Sequence, residues 1–318
     1  METFNKFLAE NLQRHRNGTK VPPVLVGCLL VNLFLVGVAA VPVSAQERSS
    51  RKSRAGLKQP IFRVAESARN APPAEAHPLD NVLQMAQGKL AFSRQHVRGY
   101  SANLVKREQV DGVLLDHQFV FLKVRNERLD AAGLVAVPFG VYMYFEGPDD
   151  LKDREVLWVK GQNNNKLIAH EGSGLLGLLS VWLEPTSAVA MRGQRYPISY
   201  VGMENLLQQY ILRLQEDKRQ GVPEDFKIKV IRGARVDDRV CTCTQVTHPV
   251  QRPYFEKYVS RLFIDDETHL PIRYVTFGWP ERKGVQPPII EEYTYRNVKV
   301  NPGFTEVDFD PKNSNYNF

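Results

Sequence analysis

The chain has 318 residues, enough for one or two domains with a substantial core, and its 43% hydrophobic and 24% charged content is that of an ordinary globular protein. Its net charge of +7 does not mark a nucleic-acid binder, because residues 1–45 contribute +2, residues 46–77 contribute +4 and residues 78–318 only +1. A duplex binder carries its positive charge on the folded face that meets phosphate, whereas here the excess sits on an N-terminal arm; the arm reads as a solvated linker that can also touch anionic lipid headgroups.

Lys6, Arg14, Arg16 and Lys20 form a basic leader, and the 25 residues from Val21 to Ala45 carry no formal charge. Val43-Ser44-Ala45 fits the small-residue rule for signal peptidase, so residues 1–45 are expected to be a signal peptide cleaved before Gln46, with export to the periplasm or cell envelope. Two alternatives stand beside this. The run is long enough to stay as a membrane anchor. Leu25-Val26-Gly27-Cys28 resembles a lipobox, although most of the apolar run follows Cys28. Arg48, Arg51, Lys52, Arg54 and Lys58, directly after the run, weigh against export under the positive-inside rule. Residues 46–77, rich in Arg, Ser, Ala and Pro, read as a disordered basic linker, and residues 78–318 as one domain.

The domain opens with a helix from Asp80 to about Arg98, where Val82, Leu83, Ala86, Leu90 and Val97 make an apolar stripe at helical spacing. Strands follow from Tyr100, with Asp111-Gly112 as a hairpin turn, then PFGVYMYFEG from Pro138, REVLWVKG, an Asn-rich turn at residues 162–165, and KLIAH. A glycine-rich run, Gly172 to Gly177, leads into the apolar stretch Leu178 to Leu183, which Pro185 ends. A second helix is predicted from about Gly202 to Arg219, with Leu206, Leu207, Tyr210, Ile211 and Leu214 on one face. FKIKVIR, RVCTCTQVTH, YVSRLFID, PIRYVTFGW and IIEEYTYRNVKV then supply further strands, for a total of about ten strands and two helices. Short turns between strands favour an antiparallel sheet.

FVFLKV and FGVYMYF are apolar or aromatic on both faces, whereas an antiparallel strand wetted on one side alternates. Both faces therefore need cover. Either packed layers lie on both sides, or one face is concave and receives an apolar ligand beneath a removable cover.

Several motifs fall short of the chemistry they suggest. Gly172-Ser173-Gly174-Leu175-Leu176-Gly177 matches G-x-G-x-x-G, but Pro185 cuts the following helix short and no acidic residue stands about twenty positions on. The segment reads instead as a flexible lid, with Gly172, Gly174 and Gly177 as hinge points and Leu178 and Leu179 as apolar cover. Cys241-x-Cys243 lacks the second pair of a structural zinc site and reads as two buried thiols. His170-Glu171 lacks the second histidine of H-E-x-x-H, and Ser173 misses the nucleophile-elbow spacing. Arg192 and Arg195 are of the type that clamps a carboxylate or phosphate headgroup, or closes a loop salt bridge. No catalytic residue, metal site or cofactor is expected.

YSANLVKREQVDG, PFGVYMYFEGP, REVLWVKGQNNNKLIAH, MRGQRYPISYVG, SRLFIDDETHLPIRY, EEYTYRNVKVN and FTEVDFDP together resemble the bacterial domain-of-unknown-function 1571 family over roughly residues 80–318. That family in turn resembles the periplasmic lipoprotein-carrier and lipoprotein-sensor superfamily. The resemblance implies a mainly β (α+β) fold, a curved antiparallel half-barrel with two or more helices covering its concave face, and acyl-chain binding without chemistry. Combined with the two-sided strands, it makes Phe119, Phe121, Phe139, Val141, Met143 and Phe145 the expected apolar lining, with lipid or acylated protein as the expected partner. A partner protein held by the same sheet is the alternative, and an undetected hydrolase built around His170 and Glu171 a further one.

Overall fold

A computed structural model describes residues 76–172, 179–282 and 284–318. The expected signal peptide, the basic linker, and Gly174, Gly177 and Leu178 of the expected lid lie outside these residues. Two α-helices are present among them: α1, Asp80–His96, and α2, Met203–Gln220. The strands are β1 (Gly99–Val110), β2 (Val113–Leu114), β3 (Gln118–Arg125), β4 (Arg128–Leu129), β5 (Val135–Val137), β6 (Gly140–Gly147), β7 (Glu155–Val159), β8 (Leu167–His170), β9 (Ser180–Leu183), β10 (Lys227–Val236), β11 (Arg239–Thr247), β12 (Val259–Asp265), β13 (Pro271–Phe277) and β14 (Ile289–Val300). They exceed the expected ten because β2, β4 and β5 are two or three residues long, too short to leave a periodic pattern, and β9 falls in the run expected to be a lid.

Twelve strands form one antiparallel sheet in the order β10-β11-β12-β13-β14-β1-β3-β6-β7-β8-β9, with β2 paired to β1, and β4 and β5 make a separate hairpin. The sheet is a mainly β curved half-barrel, not closed into a barrel, with β9 and β10 as its two edges. The chain leaves the sheet at β9, crosses its face through residues 184–226, which include α2, and re-enters at β10. We call the face carrying the helices inner and the opposite one outer.

The helices form where the apolar stripes predict them. Val82, Leu83, Ala86 and Leu90 of α1 and Leu207, Tyr210, Ile211 and Leu214 of α2 are buried, together with Leu262, Ile264 and Tyr274 of the sheet. Asp80 lies in the first turn of α1 and accepts a hydrogen bond from the His77 backbone N–H at 3.1 Å, and it also pairs with Lys218 of α2. Asp111 and Gly112 adopt φ of 50° and 82°, the left-handed turn expected of that dipeptide.

The two-sided strands have cover on both sides. On the inner face, Val120, Leu122 and Val124 of β3 stand opposite Phe145, Met143 and Val141 of β6, and all six are buried. On the outer face, the C-terminal residues fold back: Tyr316 stacks on Tyr142 with ring centroids 4.0 Å apart, Phe318 meets Tyr142 edge-on, and Phe309 packs in the same cluster with Leu157 and Ile168. Glu155, fully buried there, accepts hydrogen bonds from the Tyr142 hydroxyl at 3.0 Å and from the Asn317 side chain and backbone.

Candidate functional site

The strand period of two decides which of the predicted lining residues share a face. Val141, Met143 and Phe145, with Phe139 just before β6, lie on the inner wall and are buried with Trp158 of β7 and with the β3 triplet. Burial of each such side chain contributes roughly 1.5–3 kcal/mol. Phe119 and Phe121 are a correction: they alternate with Val120 and Leu122, so they project from the outer face, Phe121 half-buried and Phe119 46% exposed.

What covers the inner wall differs along the sheet. Over β11, β12 and β13 the cover is the helix pair. Over β1, β3, β6, β7 and β8 it is the segment preceding α2, through Ile198, Val201 and Ala190, together with Met203 at the helix start and Leu183 of β9. This segment, residues 184–202, is irregular. Its internal hydrogen bonds are short-range turns, such as Gln194 N–H to Met191 O at 3.0 Å and Val201 N–H to Ile198 O at 3.1 Å. Gly202, at φ 113°, lets the chain turn into α2 against the wall; a β-carbon there would touch the Tyr100 hydroxyl at 3.4 Å and Val124 at 3.5 Å.

The expected lid is also corrected in part. Residues 180–183 are not a free flap but strand β9, paired with β8 through Ser180–His170, Val181–Ala169, Trp182–Ile168 and Leu183–Leu167. The valine and tryptophan in this short run suit an edge strand. Leu179 is exposed. Gly172 packs tightly, since a β-carbon there would lie 2.3 Å from the Asp153 backbone, so it serves close approach. Of the two arginines, Arg192 is exposed and Arg195 is drawn inward.

Arg195 belongs to a buried polar network that sequence reasoning missed. Its backbone N–H donates to Glu108 Oε2 at 3.0 Å. Glu108 also accepts from Lys106 Nζ at 3.0 Å and from the Tyr293 hydroxyl at 2.6 Å. Lys106 Nζ donates to Gln194 Oε1 at 2.5 Å. A second carboxylate, Glu291, accepts from Lys257 Nζ at 2.5 Å and from Thr276 at 3.3 Å, and lies 3.6 Å from Arg195 Nε. Lys106, Glu108 and Glu291 are each at least 94% buried. Burial pushes the Glu291 carboxyl up, but Lys257 and Arg195 outweigh it and hold the pKa below the usual 4.5. Burial, then the carboxylates of Glu108 and Glu291, raise the Tyr293 hydroxyl far above its ordinary value, so it donates as a neutral phenol. The network thus pins Gln194 and Arg195, and with them the strap of residues 184–202, to the sheet. Its signal in the sequence was one of phase: Lys106 and Glu108 continue the two-residue step of Tyr100, Ala102 and Leu104, so they belong to the buried face.

His170 stands opposite Glu155 in the β7–β8 register. Glu171 pairs with Arg154 at 2.8 Å, and the His170 ring lies 3.5 Å from the Ser180 hydroxyl. Cys241 and Cys243 are buried free thiols, and burial pushes the Cys241 thiol up to about 11. No helix among the described residues is long and apolar enough to cross a membrane.

Sheet, helices and strap define a mainly β, open half-barrel whose inner apolar wall is covered partly by helices and partly by an irregular, polar-pinned segment. The chain belongs to the family of proteins of unknown function DUF1571, whose model matches residues 97–318. No curated protein matches the sequence. Among solved structures, the chain is similar to the lipoprotein LppX of Mycobacterium tuberculosis, with 12% identity, a TM-score of 0.36, and 73% of this chain and 100% of that chain covered. It is similar to an outer membrane lipoprotein-sorting protein domain from Vibrio parahaemolyticus, with 9% identity, a TM-score of 0.33, and coverage of 72% and 95%. It is also similar to the Pseudomonas aeruginosa MucA/MucB complex structure, with 15% identity and a TM-score of 0.38, over 72% of this chain and 60% of that one.

Proposed function

We propose that this protein is an exported, non-enzymatic binding protein of the cell envelope that holds a lipid, the acyl chain of an acylated protein, or another apolar ligand on the inner wall formed by Phe139, Val141, Met143 and Phe145. The observation that supports this reading is the nature of the cover. The wall is lined by apolar side chains, yet the element laid over it is an irregular strap with few regular hydrogen bonds. Segments of that kind open locally at lower free energy than helices do. Displacing the strap replaces one apolar contact surface by another, at about 25 cal/mol per Å² of ligand surface buried before the costs of association. The N-terminal residues 21–45 would be removed on export or kept as an anchor.

Two measurements test the proposal. Native mass spectrometry of the protein recovered from its envelope fraction is expected to show a retained lipid mass and the mature N-terminus. The purified chain is expected to bind a fluorescent acyl probe saturably. Absence of both the adduct and the probe binding would sink it.

A further inference from the structure

Phe119, displaced from the inner wall by strand phase, lines an open groove of about 240 Å³ on the outer face. The groove spans four neighbouring strands: Arg296 and Asn297 of β14, Asn103 and Val105 of β1, Phe119 of β3 and Glu146 of β6. A single exposed phenylalanine needs no explanation. This one is bordered by a rim of planar polar groups that hold one another in place. Asn297 donates to Asn103 Oδ1 at 3.3 Å, and Asn103 donates to Glu146 Oε2 at 3.4 Å. Arg296 is fixed by Asp237, with Nε to Oδ2 at 2.6 Å and Nη2 to Oδ1 at 3.2 Å. The rim exists because the β1–β14 register shifts between Ser101 and Asn103, and Asn297 takes φ 52° at the irregularity. Such bulges re-aim side chains and occur next to binding sites.

The chemistry of the groove selects among ligands. An acyl chain needs a long apolar trough, and here Val105 and the Phe119 ring are the apolar side chains at the surface of the rim. An anion needs uncompensated positive charge, and Arg296 is matched by Asp237, with Glu146 adding a negative charge beside it. An added peptide strand needs a free backbone edge, and these four strands are paired on both sides. A pyranose ring has a flat C–H face to lay on an aromatic ring and a rim of hydroxyls that donate and accept. Amide, carboxylate and guanidinium groups around Phe119 match that pattern. We infer that this outer groove is a saccharide subsite, with a sugar ring stacked on Phe119 and its hydroxyls bonded by Asn103, Glu146, Arg296 and Asn297.

Saturation-transfer difference NMR of the full chain with N-acetylglucosamine tetramer, and separately with maltotetraose, tests the inference. Saturable binding of at least one of them is expected. Phe119→Ala should weaken it by about tenfold or more, and Glu146→Gln by about threefold. Both side chains are at the surface, so thermal melting reports whether the fold is kept, and acyl-probe binding at the inner wall should be unchanged in both variants. No saturable signal from either sugar up to about 10 mM, or binding that Phe119→Ala leaves intact, overturns the assignment without touching the proposal for the inner wall.

Discussion

Glu108→Gln is the substitution that interrogates the strap most directly. The carboxylate holds three donors: Lys106 Nζ at 3.0 Å, the Tyr293 hydroxyl at 2.6 Å and the Arg195 backbone N–H at 3.0 Å. The amide keeps the shape but removes the charge that balances the buried Lys106 ammonium. Breaking a buried pair from one side costs about 3–5 kcal/mol, because the other charge is left uncompensated. With part of this recovered by the amide oxygen, about 3 kcal/mol remains, or about a hundredfold in an opening equilibrium. Hydrogen–deuterium exchange reads it out at the amides of Gln194, Arg195, Tyr200 and Val201. Opening the strap breaks the Arg195 N–H bond to Glu108 and returns the Lys106 ammonium to water, as unfolding also does, so exchange by either route accelerates. Local opening is distinguished by order: the strap amides should exchange ahead of those of Tyr210 and Leu214 in α2, in both proteins. The variant should also bind the acyl probe more tightly, since a larger fraction is open. Strap amides that exchange in step with the α2 core, or at an unchanged rate after the substitution, would refute the reasoning.

Stability should fall with acid in two stages. Burial lowers the His248 pKa from 6.5 to about 4, only partly opposed by the Asp225 carbonyl, so the unfolded chain takes up this proton first and stability declines as pH drops from 6.5 towards 4; His248→Leu should flatten that part of a urea-midpoint profile. Glu291, held below 4.5, contributes stability that is present above that value and lost as pH falls through its lower folded pKa, so Glu291→Gln should make the acid limb shallower, with Asp225, Asp265 and Asp308 still contributing to it, while lowering stability near neutrality. Met143→Ala should cost about 2–5 kcal/mol in thermal or urea unfolding and weaken acyl-probe binding, whereas Phe121→Ala, on the outer face, should leave probe binding unchanged. Gly88→Ala, exposed within α1 with nothing within 4 Å of the added carbon, should stabilise the domain by about 0.5–1 kcal/mol, seen as a raised melting temperature.

Element types were readable because they rest on local patterns. The stripes of α1 and α2 and the turn at Asp111-Gly112 all depend on neighbours within a few residues. Face assignment was not readable in the same way. FVFLKV is apolar at nearly every position, so nothing local says that Val120, Leu122 and Val124 face the strap while Phe119 and Phe121 do not. The cause lies elsewhere in the chain, in C-terminal aromatics that fold back onto the outer face about 190 residues later. The polar network was hidden for a related reason. Lys106, Glu108, Gln194, Lys257, Glu291 and Tyr293 come from four separate segments, and polar runs such as VKREQ or EEYTY read as strands wetted on one side. The strand phase said otherwise, and only the fold shows what satisfies those charges.

The network also bears on why a strap, and not a third helix, lies over this part of the wall. An apolar cover is held by area, and area holds equally well after a small slide. Charged pins hold at one position, because moving Gln194 or Arg195 by one residue takes Gln194 Oε1 from the buried Lys106 and the Arg195 N–H from the buried Glu108. Such a network contributes little net stability relative to hydrated ions, since desolvation nearly cancels the attraction. Mutation and opening are therefore different perturbations. Removing Glu108 strands a buried ammonium and is costly, whereas lifting the whole strap returns both partners to water and is not. A cover pinned in this way is exact in position yet inexpensive to release, which is what the proposed exchange of the strap for an apolar ligand requires.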